Sequence, residues 1–547
     1  MSKLQFSTWL AFIALAAIFF RLAPGPKCID DAYITFRYAR NLADGYGLVY
    51  NRGEAVYGTT SPLWAIVLAL AHIVTGVGYI RLAWFLNALF GGVICLFLGI
   101  AARRLTGSSL IALASAGLVA CSSMGVLASI SGMETPLYLA AITAAYYCYL
   151  YDRPALAGLA SGVAALTRID GALLPCLLLA GLLSQRAWRG LLGFITMFLL
   201  TVLPWVIYAQ RFYGTIIPHT AIAKWHVYFL APGEAFKVIV RYLIGLINPD
   251  TNSLQRLLGV APISNFAGIA CLVGLILVGM IELLANKPTA WPILAHPVLI
   301  AGGLGLANPL IFFWYLVPIE PITVVCALTG ATLLIHGAAY LLVQLHGEKP
   351  DVKQGSVVRL AGTVAAAILF IMITARDANS LIRPVNGHLG VAPPGVWLSR
   401  ERKYRDLARL LDPRLHPNDT LCATEIGMLG YYCPVRILDS VGLVSPQCDR
   451  FYPTSHRYLN PASDYAVPPQ LIKALRPTFF VSFDTFISNG VLRDRWFLSH
   501  YRLIGQIGGG PFGSQYLDVF ERADVLARRD DQPLAVSRLE KSTRTMY

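Results

Sequence analysis

Long apolar runs separated by short polar connections fill the first 375 residues of the chain. A helix needs about 20 apolar residues to cross the hydrocarbon core of a bilayer, and several runs approach that length. We predict about eleven spanning helices from this pattern. They fall near Leu4–Leu22, Arg81–Ala101, Ser109–Val126, Leu137–Tyr149, Ala155–Leu166, Leu173–Leu183, Gly190–Tyr208, Ile263–Leu284, Leu294–Phe312, Val317–Leu341 and Leu360–Thr374. The pattern is typical of a polytopic α-helical membrane protein.

The apolar run Ser61–Gly76 requires a different interpretation. It has about sixteen residues, which is short for a span. If it crossed the membrane, Arg103 and Arg104 would lie outside, against the tendency of basic residues to stay in the cytoplasm. We therefore expect this run to lie at or partly within the outer leaflet, with the N-terminus of the chain in the cytoplasm. The connections richest in acidic and basic residues then share one outer face.

The composition changes after Arg376, where no further run is long enough to span a membrane. We predict a membrane domain over residues 1–375, with an outer loop over residues 24–80, and a soluble α/β domain over residues 376–547. Short β-branched and aromatic stretches indicate strands, and periodic stretches indicate helices. The predicted elements are strands at Thr420–Thr424, Arg436–Asp439 and Thr478–Ser482, helices at Glu401–Leu411 and Pro469–Leu475, and a hairpin around Gly508–Gly510 and Tyr516–Phe520.

The overall composition agrees with this division. The 547 residues are 56% hydrophobic and 14% charged, and the mean hydropathy is +0.59, whereas soluble proteins carry about a quarter charged residues. The net charge of +14 comes from basic residues spread through short loops. Such residues are topology signals and contacts for lipid headgroups. We therefore expect membrane lipids as neighbours and no nucleic acid partner.

Three cysteines lie close together in the predicted soluble domain: Cys422, Cys433 and Cys448. In an oxidising compartment two of them would pair, and we expect Cys422 with Cys433 first.

The stretch Ile29–Trp64 concentrates charged residues between apolar segments. Asp30 and Asp31 begin a predicted amphipathic helix that lies at the membrane surface, and Arg37 and Arg40 lie about one turn apart on its polar side. Paired carboxylates in a partly desolvated site keep their proton affinities apart, so one of them can act as a base. The alternative is that an aspartate here only caps a helix. The two arginines suit a phosphate group or, alternatively, lipid headgroups.

The same stretch resembles a known family of enzymes. Asp-Asp-Ala-Tyr-Ile-Thr-Phe-Arg-Tyr-Ala-Arg-Asn, followed by Tyr-Gly-Thr-Thr-Ser-Pro-Leu-Trp, is similar to the first outer loop of polytopic GT-C glycosyltransferases. The similarity is closest to the terminal arabinofuranosyltransferases and the aminoarabinose-transferase-like enzymes. Weaker similarity covers Ser131–Tyr138, Thr167–Gly171, Pro218–Lys224 and Thr420–Leu443.

The resemblance implies a GT-C transmembrane bundle followed by an extramembrane α/β domain. It further implies transfer of a sugar, such as arabinofuranose or another pentose, from a polyprenyl-phosphate donor to a glycan, lipid or protein of the cell envelope. The expected location is the bacterial inner membrane, with the C-terminal domain on the periplasmic side.

The resemblance and the charge pattern together give a set of expected site residues. They are Asp30 or Asp31 as catalytic base, Arg37, Arg40 and Lys224 for the donor phosphate, Glu134, Arg168, Asp170, His219 and Tyr315 for the substrates, and Glu425 and Asp439 for the acceptor. Structural alternatives stay open at this point: Arg168 and Asp170 can pair with each other, Tyr315 can belong to an aromatic belt, and the last two acids can fix turns.

No metal-binding motif such as His-Glu-x-x-His or Cys-x-x-Cys is present, so a tightly held metal is not indicated. A divalent metal held by Glu54, Glu134 and His219 remains an alternative. Two other classes of function also remain open. A transporter or flippase of lipid-linked sugars would need a charged cavity at lipid depth, and a non-catalytic envelope assembly protein would not need the aspartate pair.

Overall fold

The computed structural model describes residues 1–228, 230–247, 265–345, 384–385, 388–389, 395–461, 463–509 and 513–529. The predicted span Leu360–Thr374 lies outside these residues. Within these residues, fifteen helices precede residue 346, and we call them the membrane helices. They are α1 Lys3–Leu22, α2 Asp30–Ala43, α3 Pro62–Thr75, α4 Tyr79–Thr106, α5 Ser109–Cys121, α6 Ser123–Ile130, α7 Thr135–Leu150, α8 Pro154–Thr167, α9 Leu173–Ser184, α10 Trp188–Tyr213, α11 His219–Val227, α12 Glu234–Ile247, α13 Asn265–Asn286, α14 Trp291–Ala307 and α15 Glu320–Leu345.

The helical lengths confirm a multi-pass membrane protein. Within the described residues, 5 helices are long and apolar enough to cross a membrane, or up to 6 if one bent pair is a single span. The five are Lys3–Leu22, Tyr79–Thr106, Trp188–Tyr213, Pro288–Ala307 and Phe313–Leu341. Shorter apolar helices accompany them, so the number of spans stays a prediction.

The single helix predicted over Ser109–Val126 is wrong. The chain breaks at Ser122, and α5 and α6 meet at 48°. The Ser122 hydroxyl accepts the backbone N–H of Gly125 at 3.1 Å, which starts the second helix. The break leaves carbonyls of α5 without helical partners, and the buried Arg21 guanidinium donates to Val119 and Ala120 at 3.2 and 2.9 Å. An arginine at the end of the first apolar run therefore stabilises a break in another helix.

The apolar run Ser61–Gly76 forms α3, which has 14 residues. At 1.5 Å per residue such a helix is about 21 Å long, short of the roughly 30 Å hydrocarbon core. One side is buried around Trp64 and Leu68, whereas Val74 near its end is 83% exposed. One side of α3 therefore packs against protein, and its expected position at the outer leaflet stays a prediction.

Residues 395–529, which we call the C-terminal domain, form the predicted α/β unit. Its elements are β3 Thr420–Ala423, β4 Arg436–Asp439, β5 Phe479–Phe483, β6 Tyr501–Gly508, β7 Tyr516–Arg522, α16 Gly395–Leu411, α17 Gly427–Tyr432, α18 Pro469–Leu475, α19 Arg495–His500 and α20 Ala523–Arg529. Its five-stranded sheet has the order β4-β3-β5-β7-β6, in which β3 is parallel to β4 and β5 while β7 is antiparallel to β5 and β6. The strands, both helices and the hairpin expected from the sequence are confirmed. A two-residue pair, β1 Pro384–Val385 with β2 His388–Leu389, precedes this domain.

Helix α2 packs between the membrane helices and the C-terminal domain. Phe36 of α2, Trp64 of α3 and Phe480 of β5 belong to one continuous apolar core. Arg37 and Asn41 on the polar side of α2 are only 5% and 2% exposed, so this side is buried against protein, and the position of α2 at the membrane surface stays a prediction. The polar side of α2 faces the C-terminal domain and a neighbouring loop, whose carbonyl groups accept its hydrogen bonds.

The expected disulfide between Cys422 and Cys433 is not present in the structure. Both residues and Cys448 are free, buried thiols. Cys422 lies within β3, and Cys433 follows the last residue of α17. Each side chain contributes to the apolar core of the C-terminal domain, which is an ordinary use of free cysteine.

Candidate active site

A cavity of about 240 Å³ lies where the membrane helices meet the C-terminal domain. The start of α2 contributes Asp30 and Asp31, and α11 contributes Lys224. The C-terminal domain contributes Arg400, Glu425 and Asp439. Apolar and aromatic side chains at 310–314 form much of the remaining lining. Such a mixture of apolar walls and a few convergent polar groups is characteristic of ligand sites.

Asp30 is buried at the contact between the two domains and is 1% exposed. Its carboxylate accepts the backbone N–H groups of Gly427 and Met428 at 2.7 and 2.8 Å. These groups begin α17, so Asp30 caps a helix of the other domain. Its own backbone N–H donates to Glu401 at 2.9 Å. Burial, together with the nearby Glu401 charge, raises the pKa of Asp30 to about 7.

The close contact at Asp30 requires glycine at position 427. A Cβ atom at position 427 would overlap the backbone carbonyl of Asp30 and lie 2.8 Å from the carboxyl carbon of the Asp30 side chain. Gly430, one turn further on, faces the Tyr50 hydroxyl and the Arg37 guanidinium in the same way. Two glycines three residues apart therefore let the backbone of α17 rest directly on the outer loop.

Asp31 occupies the next position of α2 and lines the cavity. It is partly exposed. Within the described part of the chain, its carboxylate makes no hydrogen bond, in contrast to Asp30. Successive residues of an α-helix point about 100° apart, so the two carboxylates have different partners although both residues line the cavity.

Lys224 is the basic residue that α11 contributes to the cavity lining. Its ammonium group is 3.3 Å from the Tyr315 hydroxyl and 5.4 Å from the centre of the Phe312 ring. Burial lowers its pKa, but Tyr315 and the Asp31 carboxylate outweigh burial and raise the pKa above its usual value. Lys224 is therefore a cation at neutral pH, and no carboxylate pairs with it directly among the described residues.

Arg400 connects two carboxylates of the C-terminal domain. Its guanidinium donates to both oxygens of Glu401, at 2.7 and 3.1 Å, and to Glu425 at 3.1 Å. Burial raises the pKa of Glu425 to about 8, against the lowering effect of Arg400. Glu425, expected from the sequence, therefore lines the cavity, whereas Arg400 and Glu401 were missed. A signal did exist, because Arg400 lies one turn before Tyr404 on the side of α16 that carries the apolar stripe.

Asp439 lines the same cavity and also fixes a turn. Its carboxylate accepts the backbone N–H groups of Val441 at 2.9 Å and Leu443 at 2.6 Å. Burial raises its pKa to about 7, although these hydrogen bonds oppose that shift. The position of Asp439 is thus compatible with both interpretations of the sequence, contact with an acceptor and stabilisation of a turn.

Glu134, Arg168 and Asp170 form an ionic cluster in which the first two residues are buried and Asp170 is partly exposed. Arg168 donates to both oxygens of Asp170, at 2.9 and 3.0 Å, and lies 3.4 Å from Glu134. Its guanidinium lies over the Tyr315 ring, 4.9 Å from the ring centre. Neither these three charged residues nor Tyr315 lines the cavity, so the structure brings the four together outside the cavity lining.

Three other expected residues lie away from the cavity lining. Arg37 donates to the carbonyls of Tyr50 and Val435 at 2.7 and 2.9 Å, and Arg40 donates to the carbonyl of Tyr431 at 2.9 Å. His219 pairs with Asp449 at 3.1 Å. All three side chains therefore make contacts that hold the loops together, and none of the three faces Asp31 across the cavity.

The alternative metal site is not assembled. Glu54 pairs with Arg436, Glu134 with Arg168, and His219 with an aspartate. Among the residues that the structure describes, no group of three or more His, Cys, Asp and Glu side chains is suited to hold a metal ion.

The architecture is that of the GT-C glycosyltransferase fold, as the sequence resemblance predicted. The structure superimposes on ArnT from Cupriavidus metallidurans, in a crystal structure with undecaprenyl phosphate, with a TM-score of 0.54 and 15% identity, covering 96% of this chain and 99% of that chain. The oligosaccharyltransferase of Archaeoglobus fulgidus in its apo form gives a TM-score of 0.51 with 13% identity, covering 88% and 70%.

The sequence matches identify closer relatives. The chain is 32% identical over 241 residues to the terminal beta-(1->2)-arabinofuranosyltransferase of Mycobacterium tuberculosis, a match that covers 40% of this chain and 38% of the relative. It is 27% identical over 226 residues to the enzyme of the same name from Corynebacterium glutamicum, covering 36% and 32%. The matches thus span about a third of the length of these relatives. Residues 395–529 match the model of a domain of unknown function, DUF8728.

Proposed function

We propose that this protein is a membrane glycosyltransferase that moves a sugar from a polyprenyl-phosphate donor to a hydroxyl group of a cell-envelope acceptor. One observation carries the proposal: Asp31 and the cationic Lys224 line the same cavity, at the junction between apolar helices and a polar domain. A carboxylate and a cation in this arrangement suit the two charges that develop in the reaction. The fold and the relatives named above support the same class of activity.

The proposed reaction is a single displacement at the anomeric carbon. Asp31 accepts the proton of the acceptor hydroxyl, and the oxygen forms a bond to the anomeric carbon as the bond to the phosphate oxygen breaks. The polyprenyl phosphate leaves with the electron pair, and the Lys224 ammonium stabilises its added negative charge. The apolar lining at 310–314 gives the prenyl chain a route towards the lipid.

Asp31 suits the role of base better than Asp30 does. Both oxygens of Asp30 already accept backbone hydrogen bonds from α17. Both acids line the cavity, but the Asp31 carboxylate makes no comparable contact among the described residues, which leaves its oxygens open to an acceptor hydroxyl. We assign Asp30 to domain docking and Asp31 to proton transfer. Glu425 and Asp439, on the wall of the C-terminal domain, would then contact the acceptor.

The finer features of the proposal follow the relatives. The donor sugar would be arabinofuranose or another pentose, and the acceptor a glycan, lipid or protein of the envelope. The membrane domain would cover residues 1–375 and the soluble domain residues 376–547, with the latter on the periplasmic side of a bacterial inner membrane. The polar cavity lies at the end of the bundle that contacts the C-terminal domain, so both would face that side.

Transfer by the purified full chain tests this function. Radiolabelled polyprenyl-phosphate sugars, including decaprenyl-phosphate arabinofuranose, would be supplied with arabinan oligosaccharides or envelope extract. Asp31→Asn should lower the transfer rate by about 10²- to 10⁴-fold, as expected for loss of a general base. Asp44→Asn is the matched control, because this acid ends the same helix and is exposed. Full activity in Asp31→Asn, or no transfer of any tested sugar by the wild-type chain, would contradict the proposal.

A further inference from the structure

We propose that Tyr315, held in place by Arg168, is a positioning residue that directs the Lys224 ammonium towards the phosphate of a lipid ligand. The inference rests on the phosphate-binding part of the proposed function. It assigns to the ionic cluster a task that neither the sequence nor the fold specifies.

The first step concerns the rigidity of Arg168. Its side chain is 8% exposed and makes two parallel hydrogen bonds to Asp170, while Glu134 lies against the third side of the guanidinium. A two-point contact between a planar guanidinium and a carboxylate fixes orientation as well as distance. Asp170 follows Arg168 by two residues, and Glu134 precedes α7, so the cluster joins two turns of the membrane part. The plane of the guanidinium is therefore fixed.

The second step concerns the aromatic rings on that guanidinium. Tyr138 and Tyr315 lie with their ring centres 5.4 and 4.9 Å from the guanidinium carbon of Arg168. Tyr315 also packs edge-on against Phe312, at 5.9 Å between ring centres. A cation over the face of a ring stabilises its position, the more so when both are desolvated. Tyr315 is thereby held between Arg168 and Phe312.

The third step concerns Lys224 itself. A lysine side chain has a flexible four-carbon stem and loses rotamer entropy when it is fixed. The Tyr315 hydroxyl accepts one of its three N–H donors at 3.3 Å, and the Phe312 ring lies beneath the ammonium. Two donors remain for the oxygens of a phosphate. The hydroxyl thus lowers the entropic cost of phosphate binding without neutralising the cation.

Tyr138 provides a matched control. It lies on the same guanidinium as Tyr315, but its buried hydroxyl has no hydrogen-bond partner among the described residues. Tyr315→Phe removes the hydroxyl that contacts Lys224, and Tyr138→Phe removes one that contacts nothing polar. A general effect of losing a tyrosine hydroxyl near Arg168 would appear in both variants.

Binding of decaprenyl phosphate to the purified full chain in nanodiscs measures the effect without any sugar transfer. Tyr315→Phe should raise the dissociation constant about tenfold, the size expected for one hydrogen bond to a charged group. Tyr138→Phe should leave it within twofold. In a Lys224→Met background, Tyr315→Phe should have no further effect, because the group that the hydroxyl positions is gone. Arg168→Lys, which keeps the charge but loses the planar contact, should shift binding in the same direction as Tyr315→Phe.

Transfer kinetics give a second measurement. If the proposed reaction is correct, Tyr315→Phe should raise the KM for the lipid-linked donor and change kcat by less than about threefold. Equal effects of the two phenylalanine variants, or an undiminished effect of Tyr315→Phe in the Lys224→Met background, would overturn the inference. A chain that binds the lipid phosphate with this dependence but transfers no sugar would refute the proposed function and leave the positioning role intact.

Discussion

Removal of the Asp30 carboxylate should separate docking of the C-terminal domain from proton transfer. Asp30→Ala removes two hydrogen bonds, of 2.7 and 2.8 Å, to the first turn of α17. A hydrogen bond to a charged group contributes about 1.5–3 kcal/mol. Burial raises the pKa of Asp30 to about 7, which shows that desolvation of the charge offsets part of this gain. We therefore expect a net loss of about 2–3 kcal/mol in docking, or a 30- to 150-fold change in the docking equilibrium.

Hydrogen exchange of the α17 peptide, read by mass spectrometry, measures this loss directly. Exchange of the amides that follow Gly427 should accelerate about 30-fold or more in Asp30→Ala if it occurs through undocking. Asp30→Asn keeps one acceptor oxygen, so its α17 amides should exchange at a rate between those of the wild type and Asp30→Ala. Asp44→Ala, an exposed acid on α2, should exchange like the wild type. Unchanged exchange in Asp30→Ala, together with loss of transfer as complete as in Asp31→Asn, would refute the docking role.

Three further predictions concern other contacts. The methyl group of Gly430→Ala would overlap the buried Tyr50 hydroxyl, so this variant should destabilise docking by about 1–3 kcal/mol in the same exchange assay. Gly117→Ala is the control, because the space around Gly117 is open and docking should be unchanged. The Asp439 carboxyl has a higher pKa in the folded protein than in the unfolded chain, so its contribution to the free energy of unfolding falls as the pH rises from about 4 to 7. Asp439→Asn removes this contribution and should reduce the fall in Tm between pH 5 and 8. Arg21→Met leaves two carbonyls of α5 unsatisfied and should cost about 2–4 kcal/mol in detergent unfolding, unlike the exposed Arg104→Met.

Local periodicity was sufficient to predict most of the elements. The strands Thr420–Ala423 and Arg436–Asp439 and the helix Pro469–Leu475 differ by no more than a residue from the predictions. Each is determined by alternation or helical spacing within a few residues, followed by turn residues. The bend at Ser122 could not be predicted in this way, because the apolar pattern continues across it and the stabilising guanidinium comes from another helix.

The partners of the charged residues depend on contacts between distant parts of the chain. Asp30 and its partner Gly427 are 397 residues apart, and no local pattern links them. The helical spacing does separate the two acids: Asp30 shares a face with Arg37, seven residues on, whereas Asp31 shares one with Ile34. That spacing alone does not reveal which face meets the C-terminal domain. For the same reason Arg37 was expected at a phosphate rather than among backbone carbonyls.

The cavity depends on docking because its walls come from both parts of the chain. Asp30 and Asp31 belong to one turn of α2, so any movement that breaks the contacts of Asp30 with α17 also moves Asp31 relative to Glu425. Glu425 precedes Gly427 by two residues and is tied through Arg400 to Glu401, which in turn accepts the Asp30 N–H. These contacts form a closed loop of hydrogen bonds around one side of the cavity. The same hydrogen bonds that hold the domains together therefore fix the distance between Asp31, the proposed base, and Glu425. A variant that weakens these bonds should lower kcat even when Asp31 is intact.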